Sequence, residues 1–184
     1  MKTYNPTNII SNNLKTLPYK ANRKKLIQIS LKEFRKGNNI IYGAQSIKKQ
    51  LGVRGRPTFD YDVFSNNPKK DAYRIERQLE KLNINANLFF VKPALHPGTF
   101  KIMFIGNDLI KNTKDDVGVI DISKPDAKVR YKMIEGNLYR TLKEELKYKL
   151  KALKDPTQKF RWEKDLDDYN RIKKYLNLFY NKKI

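Results

Sequence analysis

The chain has 184 residues and carries 40 lysines and arginines against 19 acids, a formal net charge of +21. That length can bury one core, and that charge points to a polyanionic partner. There is no cysteine and one histidine, His96, which excludes disulfides, zinc–thiolate sites and cysteine nucleophiles and argues against histidine metal clusters and Ser-His-Asp triads. No apolar run reaches the length of a membrane span, and Met1–Asn5 lacks the apolar core of a secretion signal. The expectation is a cytoplasmic chain with no membrane partner.

The charge is unevenly spread. Residues 1–59 hold 13 bases against one acid, Glu33; residues 60–126 hold 10 of each; residues 127–184 hold 17 bases and 8 acids. Lysine drift in an AT-rich genome would account for part of the excess, since only 10 of the 40 bases are arginine. It does not account for the neutral middle.

Residues 1–18 show no period and read as an arm. Leu26, Ile27, Ile29, Leu31 and Phe34 predict a basic amphipathic helix over 19–36, ended by Gly37-Asn38. Asn39–Tyr42 predicts a short buried strand, and Ala44–Leu51 a helix with Ala44, Ile47 and Leu51 on its inner side and Gly52 as its cap. A basic loop, 53–57, leads into 58–64, where Phe59, Tyr61 and Val63 alternate with Asp60 and Asp62. That is the strand period, and it puts both carboxylates on one face. Asn66-Asn67-Pro68 opens a helix to about Leu82, with Ala72, Ile75, Leu79 and Leu82 at helical spacing. Strands are expected over 87–92 and 99–105, joined by a Pro-Gly loop around His96, then over 117–123 and 128–134. After a turn at Glu135-Gly136-Asn137, helices run from Leu138 to Lys154 and from Arg161 to Tyr180, separated by Asp155-Pro156. The fold class is α+β: a small mixed β-sheet with helices on one face and a C-terminal helical segment that closes a cleft. The expected units are an N-terminal basic arm and helix (1–36), a core (37–134) and the helical segment (135–184).

Several features of this layout converge on one chemistry. Like charges as close as Asp60 and Asp62 repel, and a hard divalent cation, which takes carboxylate oxygens and substrate phosphates, offsets that cost. A bare D-x-D is more often the pattern of an edge strand with a solvated acidic face. Asp121 sits inside the apolar run Val117–Ile122, where a charge is costly unless it is paired or metal-bound; one of the many lysines would serve as such a partner. Gly43, at a strand-to-helix turn, lets backbone approach a phosphate, and a helix start favours anions. Arg54, Arg56 and Thr58, just ahead of the acids, suit triphosphate oxygens.

The run Ile40-Ile41-Tyr42-Gly43-Ala44, then Asp60-Tyr61-Asp62, then Asp121, resembles the polymerase-β-like nucleotidyltransferase superfamily. Within it, Gly43–Ile47 and Arg56-Pro57-Thr58-Phe59-Asp60-Tyr61-Asp62 are most similar to the AbiEii-like, toxin-type nucleotidyltransferases. So are Glu144-Glu145-Leu146, Lys149–Leu153, Arg161 and Lys164–Tyr169. The resemblance covers about residues 39–170, and it departs at Ala44, where serine or glycine is usual; Ser46 is the candidate substitute for the missing hydroxyl. It implies an enzyme that moves a nucleoside monophosphate from an NTP to an acceptor hydroxyl. Asp60, Asp62 and Asp121 would hold two Mg²⁺ (or Mn²⁺), with Asp121 as the base. Gly43, Ala44, Ser46, Arg56, Thr58 and Lys149 would contact the nucleotide, and Asp165 and Asp168, also assigned to the nucleotide site, would orient the lysine or arginines. Without the resemblance, Lys149 reads as a surface lysine and Asp165/Asp168 as a solvated helix face. Charge favours RNA as acceptor, and the resemblance points to a tRNA 3′ end. Toxin-type members bring an antitoxin-like protein inhibitor into view, while the sequence leaves the oligomeric state open.

Other readings compete. A non-catalytic nucleic-acid-binding protein would keep the fold and the basic surface, and a protein could replace RNA as the acceptor. A glycosyltransferase also uses D-x-D, but only 59 residues precede Asp60. A nuclease or phosphodiesterase would put water in place of the acceptor.

Overall fold

The computed structural model describes residues 17–81, 88–105, 110–112 and 114–180, with side chains described from 23 to 177 within those ranges. The arm up to residue 16, Leu82 and Asn87 lie outside the described residues. Helix α1 (Leu17–Lys36) leads to strand β1 (Ile40–Tyr42), helix α2 (Gly43–Leu51) and a 3-10 turn at Gly52–Arg54. Strand β2 (Tyr61–Phe64), helix α3 (Pro68–Glu80) and strands β3 (Phe89–Pro93), β4 (Phe100–Phe104) and β5 (Val117–Ser123) follow. The hairpin β6 (Tyr131–Ile134) and β7 (Asn137–Arg140) precedes helix α4 (Leu142–Leu153), a 3-10 turn at Pro156–Arg161 and helix α5 (Trp162–Tyr180).

The strands form one mixed sheet in the order β3-β4-β5-β2-β1-β7-β6. The β2–β5 and β1–β7 pairs are parallel, and the rest are antiparallel. This is the α+β, mixed-sheet class that the sequence predicts.

Alternation along β2 and β5 divides the faces. Tyr61, Val63, Ile120 and Ile122 join the main core with Leu26 and Phe34 of α1 and Ala72, Ile75 and Leu79 of α3. Asp62, Phe64, Asp121 and Ser123 therefore point to the other face. A smaller apolar cluster packs Ile47 and Leu51 of α2 against Leu142 of α4 and Ile172 of α5. The acids thus lie between a rigid sheet and a helical layer.

A buried polar knot fastens α1 to the sheet. Asp71 Oδ2 accepts from Asn39 Nδ2 (2.7 Å) and Ser65 Oγ (2.6 Å). Arg74 bridges Asp71 (2.9 Å) and Glu33.

Two expected elements are corrected. The strand over 58–64 begins only at Tyr61, because its antiparallel partner β1 ends where Tyr42 faces Asp62. Asp60 therefore sits on the approach to the strand. The helix expected from Leu138 begins at Leu142, since 137–140 pairs with both β1 and β6. Thr141, whose hydroxyl accepts from the Glu144 N–H, caps that helix.

Candidate active site

The parallel register of β2 and β5 sets Asp62 beside Asp121, and the antiparallel register of β4 and β5 sets Lys101 on Asp121's other side. Strand neighbours in register point side chains the same way about 5 Å apart, so β4, β5 and β2 present Lys101, Asp121 and Asp62 as a row. Asp60, two residues before Asp62, accepts a hydrogen bond from Thr58 Oγ1 (2.7 Å). Lys101 Nζ lies 2.7 Å from Asp121 Oδ2. Burial, then the charges of Asp60 and Asp121, push the Asp62 carboxyl up to about 7, while Arg161 pulls it down. Burial also raises Asp121, against the pull of Lys101. Tyr42, opposite Asp62, is raised by burial and by the Asp62 charge.

Gly43 starts α2 with φ +66°, a left-handed conformation that glycine adopts without strain. An added Cβ would come within 2.8 Å of Asp62 Oδ2. Its N–H donates to Glu145 Oε1 (2.7 Å), so an internal carboxylate occupies the helix start that the sequence reading offers to a phosphate. Burial raises Glu145, opposed by Arg140, whose Nη2 lies 2.5 Å from Oε2. Ala44 follows Gly43 and is half-buried. Ser46 is not brought to the acids: it is fully buried and donates to the Arg140 carbonyl (2.7 Å). Thr58 is likewise buried and spends its hydroxyl on Asp60.

The C-terminal residues form one ionic cluster. Lys149 is 3% exposed and lies 2.7 Å from Asp165 and 2.9 Å from Asp168. Arg161 pairs with Asp165 (2.8 Å) and Arg56 with Asp168 (3.3 Å). The spacing of Asp165 and Asp168 puts both on one side of α5, and the knot ties that helix to α4 and to the loop before Asp60. Lys149, expected at the nucleotide, is instead enclosed by two carboxylates. The most exposed member is Arg161, whose side chain is 35% exposed against 27% for Arg56 and whose charge acts on Asp62. Its spacing from Asp165, i to i+4, was visible in the sequence.

Arg140 is a residue the sequence reading missed, because it fell inside the expected helix. Its guanidinium lies over the rings of Tyr42 (5.0 Å), Phe64 (5.6 Å) and Tyr148 (4.8 Å), and Tyr42 stacks on Phe64 at 3.9 Å. This layer forms the floor beside Asp62.

Among the described residues, no group of three or more His, Cys, Asp or Glu side chains is arranged to hold a metal ion. Contacts account for that: Asp121 is turned to Lys101 and Asp60 to Thr58. The donor set itself fits a hard divalent cation. Asp60, just ahead of β2, adds its charge to that of Asp121 beside Asp62; burial first and then these two charges raise Asp62, and such a cation offsets that cost.

No protein-family model matches the chain, and no curated protein matches it in sequence. Its fold is similar to the crystal structure of the Megavirus polyadenylate synthase, with a TM-score of 0.71 and 18% identity over 91% of this chain and 34% of that one. It is also similar to JHP933 from Helicobacter pylori, with a TM-score of 0.53 and 18% identity over 81% of this chain and 63% of that one. The chain thus spans about a third of the synthase and less than two thirds of JHP933. What this establishes is the fold: the mixed-sheet α+β architecture that the chain shares with these structures. No helix among the described residues is long and apolar enough to cross a membrane.

Proposed function

We propose that the chain transfers a nucleoside monophosphate from an NTP to a hydroxyl of an acceptor, and that the acceptor is RNA. The observation that carries this reading is Asp62 in register with Asp121 on parallel strands, with Asp60 just ahead, in this fold. Asp60, Asp62 and Asp121 would hold Mg²⁺ or Mn²⁺, which supplies charge neutralisation at the phosphates and acidifies the acceptor hydroxyl. Asp121 takes the hydroxyl proton. The acceptor oxygen then forms a bond to the α-phosphorus, the bond from that phosphorus to the bridging oxygen breaks, and pyrophosphate leaves. Arg161, outward from its pair with Asp165, meets the triphosphate charge; positioning and charge stabilisation supply most of such catalysis. The +21 charge favours RNA, and the AbiEii-like likeness of residues 39–170 favours a tRNA 3′ end, acted on in the cytoplasm.

A second reading, a nucleic-acid-binding protein that keeps the fold without the chemistry, is favoured by the Lys101–Asp121 pair and by the Gly43 N–H already bonded to Glu145. One experiment separates the two: incubation with total RNA, each α-³²P-labelled NTP in turn and Mg²⁺ or Mn²⁺, beside the Asp60→Ala/Asp62→Ala protein. Transfer requires label in RNA with the unsubstituted protein only. Equal RNA binding by both proteins with no label supports the binding protein, and label in protein redirects the acceptor.

A further inference from the structure

Lys101 stands out among the groups the proposed chemistry does not use. It lies on β4, one strand beyond Asp121, and shares its register position. Its Nζ is 2.7 Å from Asp121 Oδ2. Among the described residues it is the one cation within ion-pair distance of Asp60, Asp62 or Asp121. Arg161, Arg56 and Lys149 are paired with Asp165 and Asp168, and Arg140 with Glu145. The pair is partly exposed, 36% for the lysine and 29% for the aspartate, so its partners exchange readily with solvent species. A lysine ammonium is a compact charge on a flexible four-carbon stem, able to leave a carboxylate without moving backbone.

We propose that Lys101 is the resident counter-ion of Asp121: its ammonium and a divalent cation compete for the same carboxylate, so Lys101 sets the cation concentration at which the site fills. This rests on the reading of Asp60, Asp62 and Asp121 as cation ligands. In the cation-free protein Lys101 keeps Asp121 paired on the row of like charges. On loading, Asp121 turns to the cation, and the ammonium is released toward the mouth of the site, where a phosphate-bearing substrate arrives. Lys101 is a positioning residue in this scheme. It acts through Asp121, and its removal makes loading easier while leaving the substrate phosphate one cation short.

The test is cation binding to the full chain without nucleotide or RNA, by titration with Mn²⁺ and electron paramagnetic resonance of the free ion. Lys101→Met and Lys101→Gln should bind Mn²⁺ about fivefold more tightly, the loss of one partly exposed ion pair. Lys101→Arg, which keeps the charge, should stay near the unsubstituted protein. In an Asp121→Asn background the Lys101→Met change should have no effect, a result that a general change in surface charge would not give. Equal or weaker Mn²⁺ binding by Lys101→Met and Lys101→Gln overturns the counter-ion role and leaves the carboxylate site standing. Absence of Mn²⁺ binding in every protein overturns both.

Discussion

Removing the Lys149 ammonium should cost the fold several kcal/mol, on the order of 3–5. Lys149→Met keeps most of the stem volume and deletes the charge between Asp165 and Asp168, which are 1% and 0% exposed as side chains. Each aspartate keeps one arginine, but Arg56 approaches Asp168 only at 3.3 Å. Breaking a buried ion pair by removing one partner costs about 3–5 kcal/mol, because the other charge stays buried. For a chain of this size each kcal/mol moves the melting midpoint by about 2–4 °C, so the midpoint should fall by roughly 6–20 °C. The assay is thermal unfolding followed by circular dichroism, with urea unfolding as a check at constant temperature. The double variant Lys149→Met/Asp168→Asn should recover part of the loss, since it removes one stranded carboxylate. A fall of less than about 2 °C would refute the reasoning and mean that water reaches the cluster.

Other predictions follow from the same contacts. Gly43→Ala must place a side chain at φ +66° with its Cβ near Asp62 Oδ2; it should cost about 1–2 kcal/mol in urea unfolding and abolish transfer, while Gly52→Ala, which meets the same kind of strain at φ +62° but nothing within 4 Å, should lose similar stability and leave transfer intact. Arg161→Ala should raise the KM for NTP more than tenfold, read by initial rates, and leave RNA affinity in a filter-binding assay little changed. Stability should fall in acid through Glu33 and Asp71. Burial pushes both carboxyls up, but hydrogen bonds from Lys36 and Arg74 to Glu33, and from Asn39, Ser65 and Arg74 to Asp71, hold both below their ordinary values. A depressed folded-state value means the unfolded chain binds protons first, so the contribution is complete above the ordinary range near pH 4 and is lost as pH falls below it. Arg74→Gln should therefore destabilise the protein more at pH 7 than at pH 3 in urea titrations.

The sheet strands and the acids were legible where the pattern is local. The alternation of 58–64 and the lone acid in Val117–Ile122 place Asp62 and Asp121 on strands, and Gly43 marks the turn. What joins these pieces is register between strands, which lie about 60 residues apart for Asp62 and Asp121 and 20 apart for Lys101 and Asp121; pairing, not local pattern, fixes it, so Lys101 beside Asp121 was invisible. Within strand Asn137–Arg140, Asn137 was read as turn and Leu138–Arg140 as helix, because a four-residue strand has no room to show its period. The capping residue Thr141, three before Glu144, was the available signal for the true start. Ser46 and Thr58 have the right chemistry for phosphate, yet their hydroxyls serve Arg140 and Asp60; only packing decides between such uses. The orienting of Lys149 by Asp165 and Asp168 was implied by the AbiEii-like resemblance; the i, i+3 spacing alone read as a solvated helix face, and nothing local signalled the near-complete burial of Lys149.

The most direct test of the central claim is the stoichiometry of pyrophosphate release against label entering RNA, for the unsubstituted protein and Asp60→Ala/Asp62→Ala. Nucleotidyl transfer predicts one pyrophosphate for each nucleoside monophosphate added, and neither product from the variant. Release of inorganic phosphate instead, or release that survives loss of both acids, would contradict it.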